Sequence, residues 1–216
     1  KDEDFKLDEE LYVRARLFDM LIGDWDRHND QWRWAQVKDG QGNKIFRPIP
    51  RDRDQAYSIM GDGALMAFGT RAIPSLQLFE GFNEEIRSVK GFNSSPKTFA
   101  LDMALLSQST MDHWIDQARY IQRNIDEAVV DRAFQEFPEE VRDETVDKLK
   151  RILLARKKNL AQTAKEYYKI LNKYSVVIGT DKDDHFMITP LSDGKLGVRA
   201  YRIIKGKLKG LLKSIS

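Results

Sequence analysis

Asp24-Trp25-Asp26-Arg27-His28-Asn29-Asp30-Gln31, residues 24–31, is followed further along by Arg51-Asp52-Arg53-Asp54-Gln55-Ala56-Tyr57, residues 51–57. The first stretch packs three acids, one histidine and two carboxamides into eight residues, directly after an apolar run with helical spacing. The second closes a run with strand spacing. Carboxylates, a histidine and side-chain carbonyls are the groups that take protons and ligate hard cations. Moving a phosphoryl group needs a carboxylate to orient a hydroxyl and oxygen ligands to hold Mg²⁺ against phosphates. The two stretches supply residues for both tasks.

Upstream, Leu7, Leu11, Ala15, Phe18, Ile22 and Trp25 recur at helical spacing, with Asp8 placed as N-cap, Leu7 and Tyr12 as a hydrophobic staple and Gly23 as the stop. Downstream, Trp32–Val37 alternates, 39–43 is turn chemistry, and Lys44–Ile49 resumes the strand pattern. This predicts a β-hairpin. A hairpin brings its distal ends together, so residues 26–31 and 52–54 are expected to meet at one edge. Trp32 and Trp34 on one strand face read as packing rather than as a stacking platform for bases or sugars.

Asp26-Arg27-His28-Asn29-Asp30-Gln31 resembles the inverted catalytic loop, Asp-Arg-His-x-x-Asn, of the phosphoinositide-kinase class. Similar loops occur in HipA toxins, CotH spore-coat kinases and secretory-pathway kinases. Pro50-Arg51-Asp52-Arg53-Asp54-Gln55-Ala56-Tyr57 is similar to the metal-binding motif that follows in the CotH and secretory forms. The resemblance covers residues 7–58. It implies Asp26 as catalytic carboxylate, with His28 supporting it or sharing proton transfer. It also implies Gln31 in the place of the metal-binding Asn, and Asp52 or Asp54 as the bridging metal ligand. The cofactors implied are Mg²⁺ or Mn²⁺ and ATP or another nucleotide, and the acceptor a hydroxyl-bearing protein or small molecule. The departures are Gln for Asn at position 31 and a longer gap between motifs than in phosphoinositide kinases.

The fold class expected is therefore α+β, mainly α: a kinase-like C-terminal lobe with a catalytic-loop hairpin, a helical bundle and a small C-terminal β appendage. Residues 1–173 form the lobe in this reading, and residues 174–216 the appendage or the opening of a further domain. A kinase also needs a glycine-rich cover and a lysine-bearing strand upstream of its catalytic loop. The residues before Asp26 read as helix, so an upstream nucleotide-gripping lobe of the same polypeptide is an expected partner.

The remaining composition sets bounds. At 216 residues, with 41% hydrophobic and 10% aromatic residues, the chain can bury a core. A net charge of +2, from 36 basic against 34 acidic residues, gives no general argument for nucleic acid. Residues 1–10 are acidic and 144–173 basic, and the basic block reads as a solvated helix face. The absence of cysteine removes thiol catalysis, disulfides and thiolate metal sites. No apolar run approaches the ~20 residues of a membrane span. Residues 58–96, with scattered apolar side chains between glycines, predict an ordered but irregular segment. The acid-glycine run from Asp52 to Gly63 lacks the EF-hand ligand spacing.

Beyond Ser95-Pro96, apolar spacing predicts a short helix (Phe99, Leu101, Leu105, Leu106). A second runs from Ser109-Thr110 to Val129, and a long one passes through Val146, Leu160 and Leu171. Ser175–Ile178, His185–Thr189 and Leu196–Ile203 read as strands. His185 beside Asp183 and Asp184, and His113 near a helix start, read as exposed side chains. Lys205–Ser216 reads as a cationic amphipathic helix able to touch an anionic membrane surface. Two functions follow: a phosphotransferase lobe, or a non-catalytic kinase-like module of a larger bacterial envelope or periplasmic protein. A metal-dependent phosphoesterase ranks behind both, since such sites recruit several histidines and only His28 is near.

Overall fold

Helix α1 (Glu9–Ile22) carries much of the core and leads directly into the first acid-rich stretch. The structure, a computed structural model, describes residues 6–40, 42–58, 64–73, 76, 81–93, 95–106, 109–173, 177, 179–180 and 182–215. The Asp8 side chain accepts the Leu11 N–H at 3.2 Å, while Glu9 and Glu10 stand in the first turn where the helix dipole favours acids. Gly23 ends the helix in the left-handed conformation, φ 79°. Its N–H donates to the Met20 carbonyl at 3.3 Å, and the Asp24 N–H to the Asp19 carbonyl at 2.8 Å. That pair of bonds is the Schellman stop, and it throws the chain sharply into the acid-rich loop.

The sequence spacing of Leu7, Leu11, Ala15 and Phe18 marks a face of α1 that is only half-buried. The deepest face carries Tyr12, Val13, Leu17, Met20 and Leu21, all fully enclosed. Apolar spacing alone does not single out the inward side, because the charged Arg16 and Asp19 are buried on it as well.

β2 (Trp32–Lys38) and β3 (Lys44–Pro50) form the expected antiparallel hairpin, in register from Trp32↔Pro50 to Lys38↔Lys44. The Asp39 carboxylate closes the turn on the Asn43 N–H at 2.7 Å. A two-residue strand β1 (Lys6–Leu7) adds parallel to β3. Trp32 is buried against Tyr12, ring centroids 4.7 Å apart, whereas Trp34 is 37% exposed.

Helices α3 (Pro96–Leu105), α4 (Met111–Asn124), α5 (Glu127–Gln135) and α6 (Glu144–Leu171) follow. At about 1.5 Å per residue the 28-residue α6 spans about 42 Å. Its buried stripe includes Ile152, Leu153, Leu160, Ala164 and Tyr167, and α1 and α4 pack on it.

Several expectations need correction. The helix predicted from Thr110 through Val129 breaks at Ile125: the Asp126 carboxylate accepts the Val129 N–H at 2.8 Å and starts α5 anew. Local capping there outweighs continuing apolar spacing. Within the segment expected to be irregular lies a helix, α2 (Ala64–Ala72). Lys205–Ser216 does not form the expected amphipathic helix; Lys207–Ile215 is strand β6. Lys205 and Gly206 both adopt positive φ, 51° and 70°, which makes a two-residue hairpin turn feeding β6 back onto β5 (Leu196–Ile204). β4 (Asp184–Pro190) pairs on the other side of β5, giving the order β4-β5-β6. Part of the strand predicted at Ser175–Ile178 lies outside the described residues. The fold is thus α+β with helix predominating, in which the described residues form six α-helices and two three-stranded sheets. No helix among the described residues is long and apolar enough to cross a membrane.

A Cβ at Gly23 would fall 2.9 Å from Phe82 Cδ2 and 3.3 Å from Arg156 Nη1, in a backbone conformation that side chains resist. Gly23→Ala is expected to destabilise the chain by about 1–3 kcal/mol, read as a lower urea midpoint at unchanged slope.

Candidate functional site

The two acid-rich stretches meet, and Arg27 is what joins them. Its side chain is fully buried. Nε lies 2.9 Å from Asp19 Oδ2, and Nη2 is paired with the Asp24 carboxylate. The same guanidinium donates to backbone carbonyls on both stretches: Gln31 at 3.4 Å, Asp52 at 3.2 Å, and Arg51. The Arg51 N–H donates to the Gln31 carbonyl at 2.8 Å, extending the hairpin ladder to the rim of the site. Tyr57 N–H to Ile22 carbonyl, 2.9 Å, pins the far end of the second stretch to the end of α1.

Around this clamp the side chains sort by direction. Asp26 and His28 are 31% and 29% exposed, with His28 Nε2 3.7 Å from Asp26 Oδ2. His28 Nδ1 accepts the Asp30 N–H at 3.3 Å, so a neutral ring carries its proton on Nε2, the side turned to Asp26. Asp30 itself is almost wholly exposed. Gln31 is buried. Asp52 and Asp54 point to solvent, while Arg53 between them turns inward and donates Nε to Asp19 Oδ1 at 3.1 Å. Asp52 is held at φ 53°, a left-handed conformation that Asp tolerates better than most residues, and Tyr57 at φ 61° is a bulkier exception. The Tyr57 ring is wedged edge-on against Phe82, centroids 5.1 Å apart, and against Phe134 at 5.8 Å. Packing holds that strain, and strain of this kind gathers at functional loops.

Behind the loops lies a buried polar network not anticipated from sequence. Asp102, on α3, accepts from Tyr12 Oη at 2.8 Å, Arg16 Nε at 3.1 Å and the Tyr167 hydroxyl. Arg16 also reaches the Phe92 carbonyl at 3.0 Å, and its Nη1 lies 3.6 Å from Asp19 Oδ2. Arg16, Arg27 and Arg53 thus face Asp19, Asp24 and Asp102, three cations against three anions. Such a set survives burial only because it is mutually paired. Burial, reinforced by the Asp102 charge, pushes the Tyr12 and Tyr167 hydroxyls well up, keeping both as donors. Burial raises Asp19 against the opposing pull of Arg16, Arg27 and Arg53, and it lifts Asp24 to about 6 against the pull of Arg27.

The resemblance assigns no role to Arg27 or Asp24. A usable signal was present: Arg16 and Asp19 stand in the middle of an otherwise apolar helix, where a charged residue facing inward needs a buried partner.

The resemblance implies a divalent cation. Among the described residues no three His, Cys, Asp or Glu side chains stand close enough to hold one by themselves. Mg²⁺ keeps waters and takes one or two carboxylates together with substrate phosphates, so the exposed Asp52 or Asp54 fits that ion chemically, whereas the Gln31 side chain is buried. Asp54 Oδ2 accepts from Gln55 Nε2 at 3.1 Å, and no contact ties its side chain to the first loop among the described residues.

Removing the clamp while keeping its volume, Arg27→Met, would leave Asp19 and Asp24 buried without their shared cation. A loss of about 3–5 kcal/mol in urea unfolding is expected. For Asp24 the sign is opposite to that of an ordinary paired acid. Between about pH 4 and about pH 6 the folded chain holds a proton that the unfolded chain has shed. The stability from this group is therefore full below about pH 4 and lost as pH rises through about 6. Asp24→Asn is expected to flatten that part of the stability–pH curve.

No protein-family model, no curated protein and no solved structure matches this chain.

Proposed function

We propose that this chain is the catalytic lobe of a kinase-like phosphotransferase. What carries the reading is the Arg27 clamp: one buried guanidinium binds the backbone of the Asp26 loop and that of Arg51-Asp52, so the two motifs that share the chemistry are built as one unit. Asp26, half-exposed and beside His28 Nε2, is the base that orients an acceptor hydroxyl and takes its proton as the hydroxyl oxygen attacks the terminal phosphorus of a nucleotide. The bond from that phosphorus to its bridging oxygen breaks, and the nucleoside diphosphate leaves with the electron pair. His28 steadies the Asp26 carboxylate or passes the proton onward.

Asp52, with Gln31 and with Asp54 as the alternative to Asp52, would hold Mg²⁺ or Mn²⁺. The ion's contribution is to neutralise phosphate charge. The acceptor is a hydroxyl-bearing protein or small molecule. The nucleotide, ATP or another, is gripped chiefly by a lobe upstream in the same polypeptide.

One observation favours a second reading, a non-catalytic kinase-like module of a bacterial envelope protein. Gln31, which replaces the family's Asn, is buried rather than presented beside Asp52. In that case the acid loops are held by Arg27 for structure alone.

In the natural polypeptide, Asp26→Asn is expected to lower phosphoryl transfer by about 10²–10⁴-fold with the circular dichroism spectrum unchanged. Transfer undiminished in Asp26→Asn and in Asp52→Asn would select the module. The 216-residue chain alone is expected to show weak Mg·ATP binding at most in titration calorimetry, and tight stoichiometric binding would contradict the division into two lobes.

A further inference from the structure

Beside Arg53, residues of α1, β3 and α4 line an open cleft of about 310 Å³. This is at the lower end of the range of small-molecule sites, about 300–1,000 Å³. α1 contributes Leu11, Ala15 and Phe18, part of its half-buried stripe, and β3 contributes Pro48 and Pro50. Ile121 and Ile125 close the α4 side. The walls are therefore carbon, and the two prolines offer no backbone N–H to a ligand inside.

Charge enters only at the rim, and it is of one sign. Among the described residues the charged side chains lining the cavity are Arg14 and Arg53, with no acid beside them. Arg53 is already engaged with Asp19 and lies over the Phe18 ring, 5.1 Å from its centroid. Arg14 is differently held. Its guanidinium carbon lies over Tyr120, 3.7 Å from the ring centroid, and its Nε donates to Gln117 Oε1 at 2.8 Å. The ring contact and that bond hold the side chain through Nε, and among the described residues neither Nη group makes a hydrogen bond. Among the described residues Arg14 forms no ion pair. A guanidinium fixed at Nε and free at both Nη groups is arranged to take a carboxylate end-on through two parallel N–H···O bonds.

We propose that this cavity is a binding site for a small aromatic carboxylate, its ring between Phe18 and the two prolines and its carboxylate on Arg14. A monoanion suits it better than a phosphate ester. The apolar walls offer nothing to the further charge of a phosphate, whereas one carboxylate matches one fixed guanidinium. The site does not depend on the phosphotransferase reading.

The test uses 2-naphthoate and its neutral analogue 2-naphthamide, titrated into the ¹⁵N-labelled chain. Expected are saturable shifts for naphthoate confined to the segments around Leu11–Phe18, Pro48–Arg53 and Tyr120–Ile125. Its Kd should be about 1 mM or tighter, with the amide about tenfold weaker. Arg14→Gln should bring naphthoate to the affinity of the amide. Ala15→Leu, which extends a side chain into the cavity, should abolish binding of both. The proposal is overturned by any one of three results: no saturation at millimolar concentrations, shifts mapping elsewhere on the wild-type chain, or amide binding as tight as the acid. None of the three needs a variant, so they decide the matter even where a substitution prevents folding.

Discussion

A single buried guanidinium, that of Arg27, sets the geometry of everything at the acidic end of the molecule. Three of its contacts are to carbonyl oxygens, which have no side chain to lose and cannot be neutralised by pH, and two are to carboxylates. The carboxylates keep the arginine in place and the carbonyls use it. Arginine alone offers five donors in a rigid plane. A lysine could satisfy the acids yet could not span Gln31, Arg51 and Asp52 at once. The exposed acids Asp26, Asp52 and Asp54 are thereby presented on backbone that is itself fixed, although none of those side chains is.

The clamp depends in turn on α1. Asp19 sits one turn before the Gly23 stop and receives Arg27, Arg53 and, at longer range, Arg16. Arg16 passes the connection to Asp102 on α3 and Tyr167 on α6. A continuous chain of paired charges thus runs from the loops through the centre of the helical body. Its balance of three against three is what lets so many ionised groups lie out of water. Arg156, from α6, takes the Met20 carbonyl at 3.2 Å and lies over the Phe82 ring, so the C-terminal end of α1 is held from the other side as well.

Much of this layout was legible beforehand. Asp8, Gly23 and the Asp39–Asn43 turn are local chemistry, each able to shape the backbone with groups a few residues away, and each stands where expected. The hairpin followed from alternation between two turn signals, and with it the expected meeting of residues 26–31 with 52–54, in which the contacts of the first loop among the described residues are to Arg51 and Asp52. The failures are as instructive. Ile125 and Val129 continue a helical stripe, yet Asp126 restarts the helix because a cap bond forms locally before any distant packing is available. Lys205–Ser216 has helical spacing of leucines, yet the Lys205-Gly206 turn and the waiting edge of β5 make a strand, since a short helix of about 12 residues is marginal on its own.

Sequence by itself determined where α1 starts and stops, where the hairpin turns, and that two acid-rich stretches lie at its open end. Those features arise from interactions within a few residues. Only the tertiary structure decided which acids face inward: Asp19 and Asp24 are sealed against arginines while Asp26, Asp52 and Asp54 look out, although all five are the same side chain in similarly polar or apolar company. The reason is that pairing with Arg27 and Arg53 requires α1, the loop and the end of β3 to be already assembled. No spacing rule encodes a contact between residue 27 and the carbonyls of 51 and 52 until the hairpin has closed.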